Sequence, residues 1–77
     1  MKVFIVVCHD RHSGDAITVH ATRAGADDRL EEFRSFFSAI DHQWTERNYG
    51  RSQGWVRYVE THDDGPRVRI QEVELMP

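Results

Sequence analysis

Cys8, His9, Asp10 and His12 gather a thiol, two imidazoles and a carboxylate in one short stretch. These are the donors a borderline metal such as zinc prefers. Adjacent side chains on a strand point to opposite faces, so Cys8 and His9 would not share one ion. Cys8 is also the single cysteine of the chain, and structural zinc sites commonly pair cysteines. The simpler expectation is that Cys8 is a small buried hydrophobe and the histidines are loop polars, so no metal ligand and no cofactor is assigned. His20 falls on the same expected strand face as Cys8. That leaves a contact shared across a dimer axis, pH-sensitive or metal-bridged, as one route to chemistry. A Cys8–His20 nucleophile pair is weaker, because the expected strand register sets Phe4 beside His20, and a third orienting group is missing.

Trp44, Arg47, Tyr49, Arg51 and Trp55 form a second constellation, aromatic rings with interleaved arginines. Such residues dominate protein interfaces, and they can stack a base or hold an anion. Trp44 and Trp55 can equally cap the ends of a core. Asp41, His42 and Glu46 lie nearby as acid–base candidates, but no apolar surroundings are evident to tune them. Gly50 and Gly54 are isolated, so no phosphate-cradling glycine loop is present. Asp63-Asp64-Gly65 lacks the remaining ligands of a calcium loop and reads as a turn. No catalytic residue is assigned, and whether the chain is an enzyme stays open, with the balance against it.

The elements that must carry these residues follow from the apolar pattern. Residues 2–8 (KVFIVVC) are apolar at both parities, the pattern of a strand covered on both faces. Ser13-Gly14-Asp15 marks a turn, and residues 16–22 alternate as a second strand. A hairpin with Val7 near Ile17 and Ile5 near Val19 gathers Val3, Ile5, Val7, Ile17, Val19 and Ala21 on one purely aliphatic face. That face is expected under the helix. The even face, Phe4, Val6, Cys8, Thr18, His20 and Thr22, is mixed, like a partly wet interface; Phe4, Val6, Cys8, Thr18 and His20 are the expected dimer contacts.

Thr22 is a candidate N-cap. Ala26, Leu30, Phe33, Phe37 and Ile40 make one helical stripe with Phe36 at its edge, and Asp27, Asp28, Glu31 and Glu32 are expected to favour the helix start. Residues 43–49 read as a short strand or a loop. Residues 55–61 and 67–75 read as strands joined by a turn at 62–66, with Glu60 expected opposite Arg69 and Arg57 opposite Glu72. The apolar phase of the last strand changes, which predicts a bulge near Gln71–Glu72. The expected fold is α+β, β-β-α-(β)-β-β, a mainly antiparallel sheet of four or five strands with one helix on one face.

Seventy-seven residues make one domain, 1–77. A chain this short gains from oligomerisation, and one helix covers only one face of the sheet, so a homodimer is expected. Ten Lys and Arg against thirteen Asp and Glu give a net charge of −3, without the basic surplus of a nucleic-acid binder. No signal peptide and no membrane-length apolar run is evident, so a cytoplasmic location is expected, with neither nucleic acid nor membrane as partner.

KVFIVVC, ATRAGADDRLEEF and THDDGP with VRIQEVEL together resemble small accessory proteins of phages, integron cassettes and similar mobile elements. The resemblance implies a dimeric α+β domain with a specialised role, such as binding and modulating a host protein; it carries no site residues. Two functions are therefore expected. One is a non-enzymatic homodimeric module that binds a protein partner. The other is a small-ligand protein, for an anion or nucleotide, or a minor enzyme, with a pocket near residues 44–55.

Overall fold

The computed structural model describes residues 1–10, 14–38, 44–47, 53–61 and 65–76. The chain is an α+β domain: one helix packed on one face of a five-stranded antiparallel sheet. In chain order the elements are β1 (Lys2–Asp10), β2 (Gly14–His20), α1 (Arg23–Ser38), β3 (Trp44–Arg47), β4 (Trp55–Thr61) and β5 (Arg67–Glu74). The strands lie in the order β2-β1-β5-β4-β3. The last strand is thus the central one, inserted between β1 and β4.

The first hairpin has the expected register, with Ile5 opposite Val19 and Val7 opposite Ile17. Its expected orientation is reversed. Val6 and Cys8 are 0% and 3% exposed, in one cluster with Ala26, Leu30 and Phe37 of the helix. The even face therefore lies beneath α1, and no described element covers the odd face. The cause lies in the pairing of β1 with β5. Val6 stands opposite Ile70 and Cys8 opposite Val68, while Val68 stands opposite Val59 of β4. These residues form a continuous apolar row across three strands. The odd parity of β5 instead carries Arg67, Arg69 and Gln71, which a buried layer would have to desolvate.

The helix begins earlier than its apolar stripe suggests. Thr22 caps it: its Oγ1 accepts the Gly25 N–H at 3.0 Å, satisfying one of the donors a helix start leaves open. Ala26, Leu30 and Phe37 are buried, Phe33 is partly so, and Phe36 is 72% exposed. Ile40 of the expected stripe lies outside the described residues. The first turn holds no acid, so the expected dipole role of Asp27, Asp28, Glu31 and Glu32 does not apply, since that effect fades beyond the first turn.

Two of those acids have another task. Asp27 and Glu31 take the Arg57 guanidinium of β4, at 3.2 and 3.7 Å, and Glu46 of β3 takes it at 2.5 Å. This one side chain ties helix, inner strand and edge strand together. Burial lowers the pKa of Arg57, but hydrogen bonds from its guanidinium to Glu46 and Asp27, with their charges, more than offset that and raise it.

The second half of the sheet departs from the expected register. Glu60 stands opposite Arg67, Tyr58 opposite Arg69 and Arg57 opposite Ile70. The turn is closed by the Thr61 N–H and Oγ1, both donating to the Pro66 carbonyl at 3.1 Å, which shifts the pairing by two residues from that expected. The irregularity falls in β4, between Trp55 and Arg57, rather than at Gln71–Glu72. No bulge is needed in β5, because Val68 and Ile70 serve the core while Val73 stands opposite Val3 on the other face. Gly54 leads into β4 with φ +88°; a Cβ there would lie 3.3 Å from the Glu72 carbonyl oxygen. Only glycine meets both demands without strain.

Candidate functional site: the uncovered sheet face

The face away from α1 is divided in two. Val3, Ile5 and Val7 of β1, Ile17 and Val19 of β2 and Val73 of β5 form an aliphatic half. Ile17 and Val19 are each 64% exposed, and the other four are part-buried. The remaining half, over β5, β4 and β3, carries Arg67, Arg69, Trp55, Tyr58, Glu60 and Arg47. Between aliphatic patch and edge, His9 and Asp15 stand opposite each other, with the ring Nδ1 against the carboxylate.

The β4 bulge builds the aromatic part. Trp55 and Tyr58 are three residues apart and would occupy opposite faces of a regular strand. The extra residue brings both to the uncovered side, where their rings stack at 5.2 Å with 17° between planes. It also keeps Val56 against the core while Arg57 reaches the helix. The Arg69 guanidinium lies over the Trp55 ring, 4.8 Å from its centroid, a favourable cation–π position.

The residues expected to act together at 44–55 are separated. Trp44 packs against the core on the helix side, and its indole nitrogen is buried with no partner among the described residues. Arg47 is on the uncovered side, its Nε donating to Glu60 at 2.8 Å. Trp55 shares that side. Tyr49 and Arg51 lie outside the described residues, as do Asp41 and His42. Trp44 thus stands on the opposite face of the sheet from Arg47 and Trp55.

The expected dimer contacts also change place. Phe4, Val6, Cys8, Thr18 and His20 all lie on the helix side. Val6 and Cys8 are interior, so they offer no surface to a second copy. Phe4 stands opposite His20, and the His20 ring nitrogen Nε2 meets the Thr18 hydroxyl at 2.8 Å. Burial, then the nearby Asp10 charge, pushes the Cys8 thiol up to about 11. At neutral pH it is protonated and a poor nucleophile. Among the described residues no three His, Cys, Asp or Glu side chains are grouped to hold a metal ion; His12 lies outside them. No described helix is long and apolar enough to cross a membrane.

Arg67, Arg69 and Tyr58 were not singled out by sequence. Their one legible signal was the spacing of Arg67 and Arg69, two residues apart on one strand face; the bulge and the β1–β5 pairing that assemble the site are tertiary facts. On the helix side, a groove of about 420 Å³ runs between β2 and α1, lined by Cys8, Ala16, Phe33, Phe36 and Phe37.

Comparison with known proteins gave no significant match: no family model, no curated protein and no solved structure is similar to this chain.

Proposed function

We propose that the chain is a non-enzymatic interaction module of a mobile element, a homodimer that binds a host protein. The observation that carries this reading is the exposure of Ile17 and Val19, at 64% each, on a sheet face with no covering element among the described residues. Exposed aliphatic residues in one contiguous patch mark a contact surface, and β2 is an edge strand without Lys or Pro to discourage association.

A second copy fits this face on three counts. The patch is self-complementary in chemistry, as a two-fold contact requires. Two such sheets stack about 10 Å apart, giving a helix–sheet–sheet–helix sandwich. Six aliphatic side chains over three strands supply an apolar centre, and a standard contact of about 800 Å² per partner extends from it onto the surrounding polar residues. Charged residues at the margin, His9, Asp15 and Arg67, supply the polar rim such contacts have. Both helices then face outward, and with them the grooves beside Phe36, as surfaces for a protein partner.

The test is mass in solution. Wild-type protein at micromolar concentration is expected as a dimer, and Ile17→Asp as a folded monomer. A wild type that stays monomeric removes the proposal.

A further inference from the structure

Five of the seven described arginines of this acidic chain pair with carboxylates. Arg23 pairs with Asp27 at 3.2 Å, Arg29 with Glu32 at 2.7 Å, Arg34 with Glu31 at 3.2 Å and Arg47 with Glu60 at 2.8 Å. Arg57 has three carboxylates. Arg67 and Arg69 have none among the described residues. They are two positions apart on β5, so both stand on the uncovered face.

Their neighbours are set by register. Arg67 is flanked by His9 on β1 and Glu60 on β4, whose carboxylate takes Arg47, and Arg69 by Val7 on β1 and Tyr58 on β4. Val7, His9, Tyr58, Arg67 and Arg69 line one cleft of about 90 Å³, the liquid volume of about three waters. That is room for one tetrahedral oxyanion. Arg69 is held in place by the Trp55 ring. Its Nε is buried and makes no hydrogen bond among the described residues, so an anion in the cleft would meet the rest of the guanidinium.

We propose that this cleft binds the phosphate group of a small molecule, or inorganic phosphate itself, between Arg67 and Arg69. Guanidinium forks match phosphate oxygens and form strong charge-assisted hydrogen bonds. The His9 imidazole and the Tyr58 phenol border the same space. Asp15 beyond His9 and Glu60 across from Arg67 oppose the anion, limiting affinity and favouring a ligand that engages both arginines. The cleft is built within one copy; it shares Val7 with the aliphatic patch and His9 and Arg67 with its rim, so it borders the dimer contact but needs no residue from a second copy.

Titration of inorganic phosphate, read by tryptophan fluorescence and melting temperature against sodium chloride of matched ionic strength, tests this. Trp55 lies under Arg69 and reports on the cleft. Saturable change with phosphate and none with chloride is expected. Arg67→Gln, at an exposed position, should weaken the response about tenfold or more, as loss of a charged hydrogen bond does, with the unliganded melting temperature little changed. Ile17→Asp should leave it intact, whatever it does to the mass. An equal response to chloride, or an undiminished one in Arg67→Gln, overturns the proposal. A response that disappears in Ile17→Asp while that variant remains folded also overturns it, because the site would then require two copies.

Discussion

Val6 of β1 and Ile70 of β5 stand directly opposite one another, and neither exposes any surface. This pair decides which side of the sheet α1 covers. Val7, one residue on, stands opposite Arg69 on the other side. Buried aliphatic pairs and an arginine-bearing face thus alternate across the same two strands. The uncovered side combines exposed aliphatics with two guanidinium groups that meet no carboxylate among the described residues.

Arg57 should be the most stabilising charged residue. Its side chain is 18% exposed and holds three acids from two other elements. Arg57→Met keeps the aliphatic stem but leaves Asp27, Glu31 and Glu46 facing one another. Breaking a buried pair costs about 3–5 kcal/mol; with these acids part-exposed, about 1–3 kcal/mol is expected. Urea unfolding of the variant measures it, and a loss below about 0.5 kcal/mol would show that the cluster is solvated.

The Cys8 thiol links stability to alkaline pH. Its folded pKa of about 11 is above its ordinary value of 9.0, so the folded state disfavours the thiolate. The stabilisation is fully present below pH 9 and is lost as pH rises towards 11. Each pH unit between those two values is worth about 1.4 kcal/mol, so the loss is at most about 3 kcal/mol. Unfolding free energies of wild type and Cys8→Ala should converge across that window. In the native state the thiol should react slowly with a disulfide reagent at about pH 7.5, and rapidly in urea.

Thr22 and Gly25 should be coupled. Thr22→Ala removes the cap and should cost about 0.5–2 kcal/mol. Gly25→Ala in a helix ordinarily gains up to about 1 kcal/mol, but its Cβ would lie 3.2 Å from the capping oxygen. The gain should therefore be absent in wild type and appear in the Thr22→Ala background. A double-mutant cycle with no coupling would place the new methyl group elsewhere.

Much of the fold was legible in the chain. The apolar run of β1, the alternation of β2, the helical stripe and the N-cap at Thr22 are local signals, and each corresponds to an element. The face assignment was not legible, because it depends on which strand joins β1 from a distant part of the chain. Judged from β1 and β2 alone, the purely aliphatic face is the better core. Adding Val59, Val68 and Ile70 reverses the choice. The candidate site was legible in residue type, aromatic rings with arginines, but not in membership. Trp44 is drawn to the core, while a bulge puts Trp55 beside Tyr58 and Arg69.

Whether a second copy covers the uncovered face is tested most directly by light scattering coupled to gel filtration. Wild type, Ile17→Asp and Val6→Asp would be run at tens of micromolar. A wild-type mass near 18 kDa is expected, twice the chain's 9.0 kDa. Ile17→Asp should be a folded monomer, and Val6→Asp should not fold, since its carboxylate would enter the core. A wild type of 9.0 kDa, or an Ile17→Asp variant that remains a dimer, would contradict the sheet-to-sheet dimer.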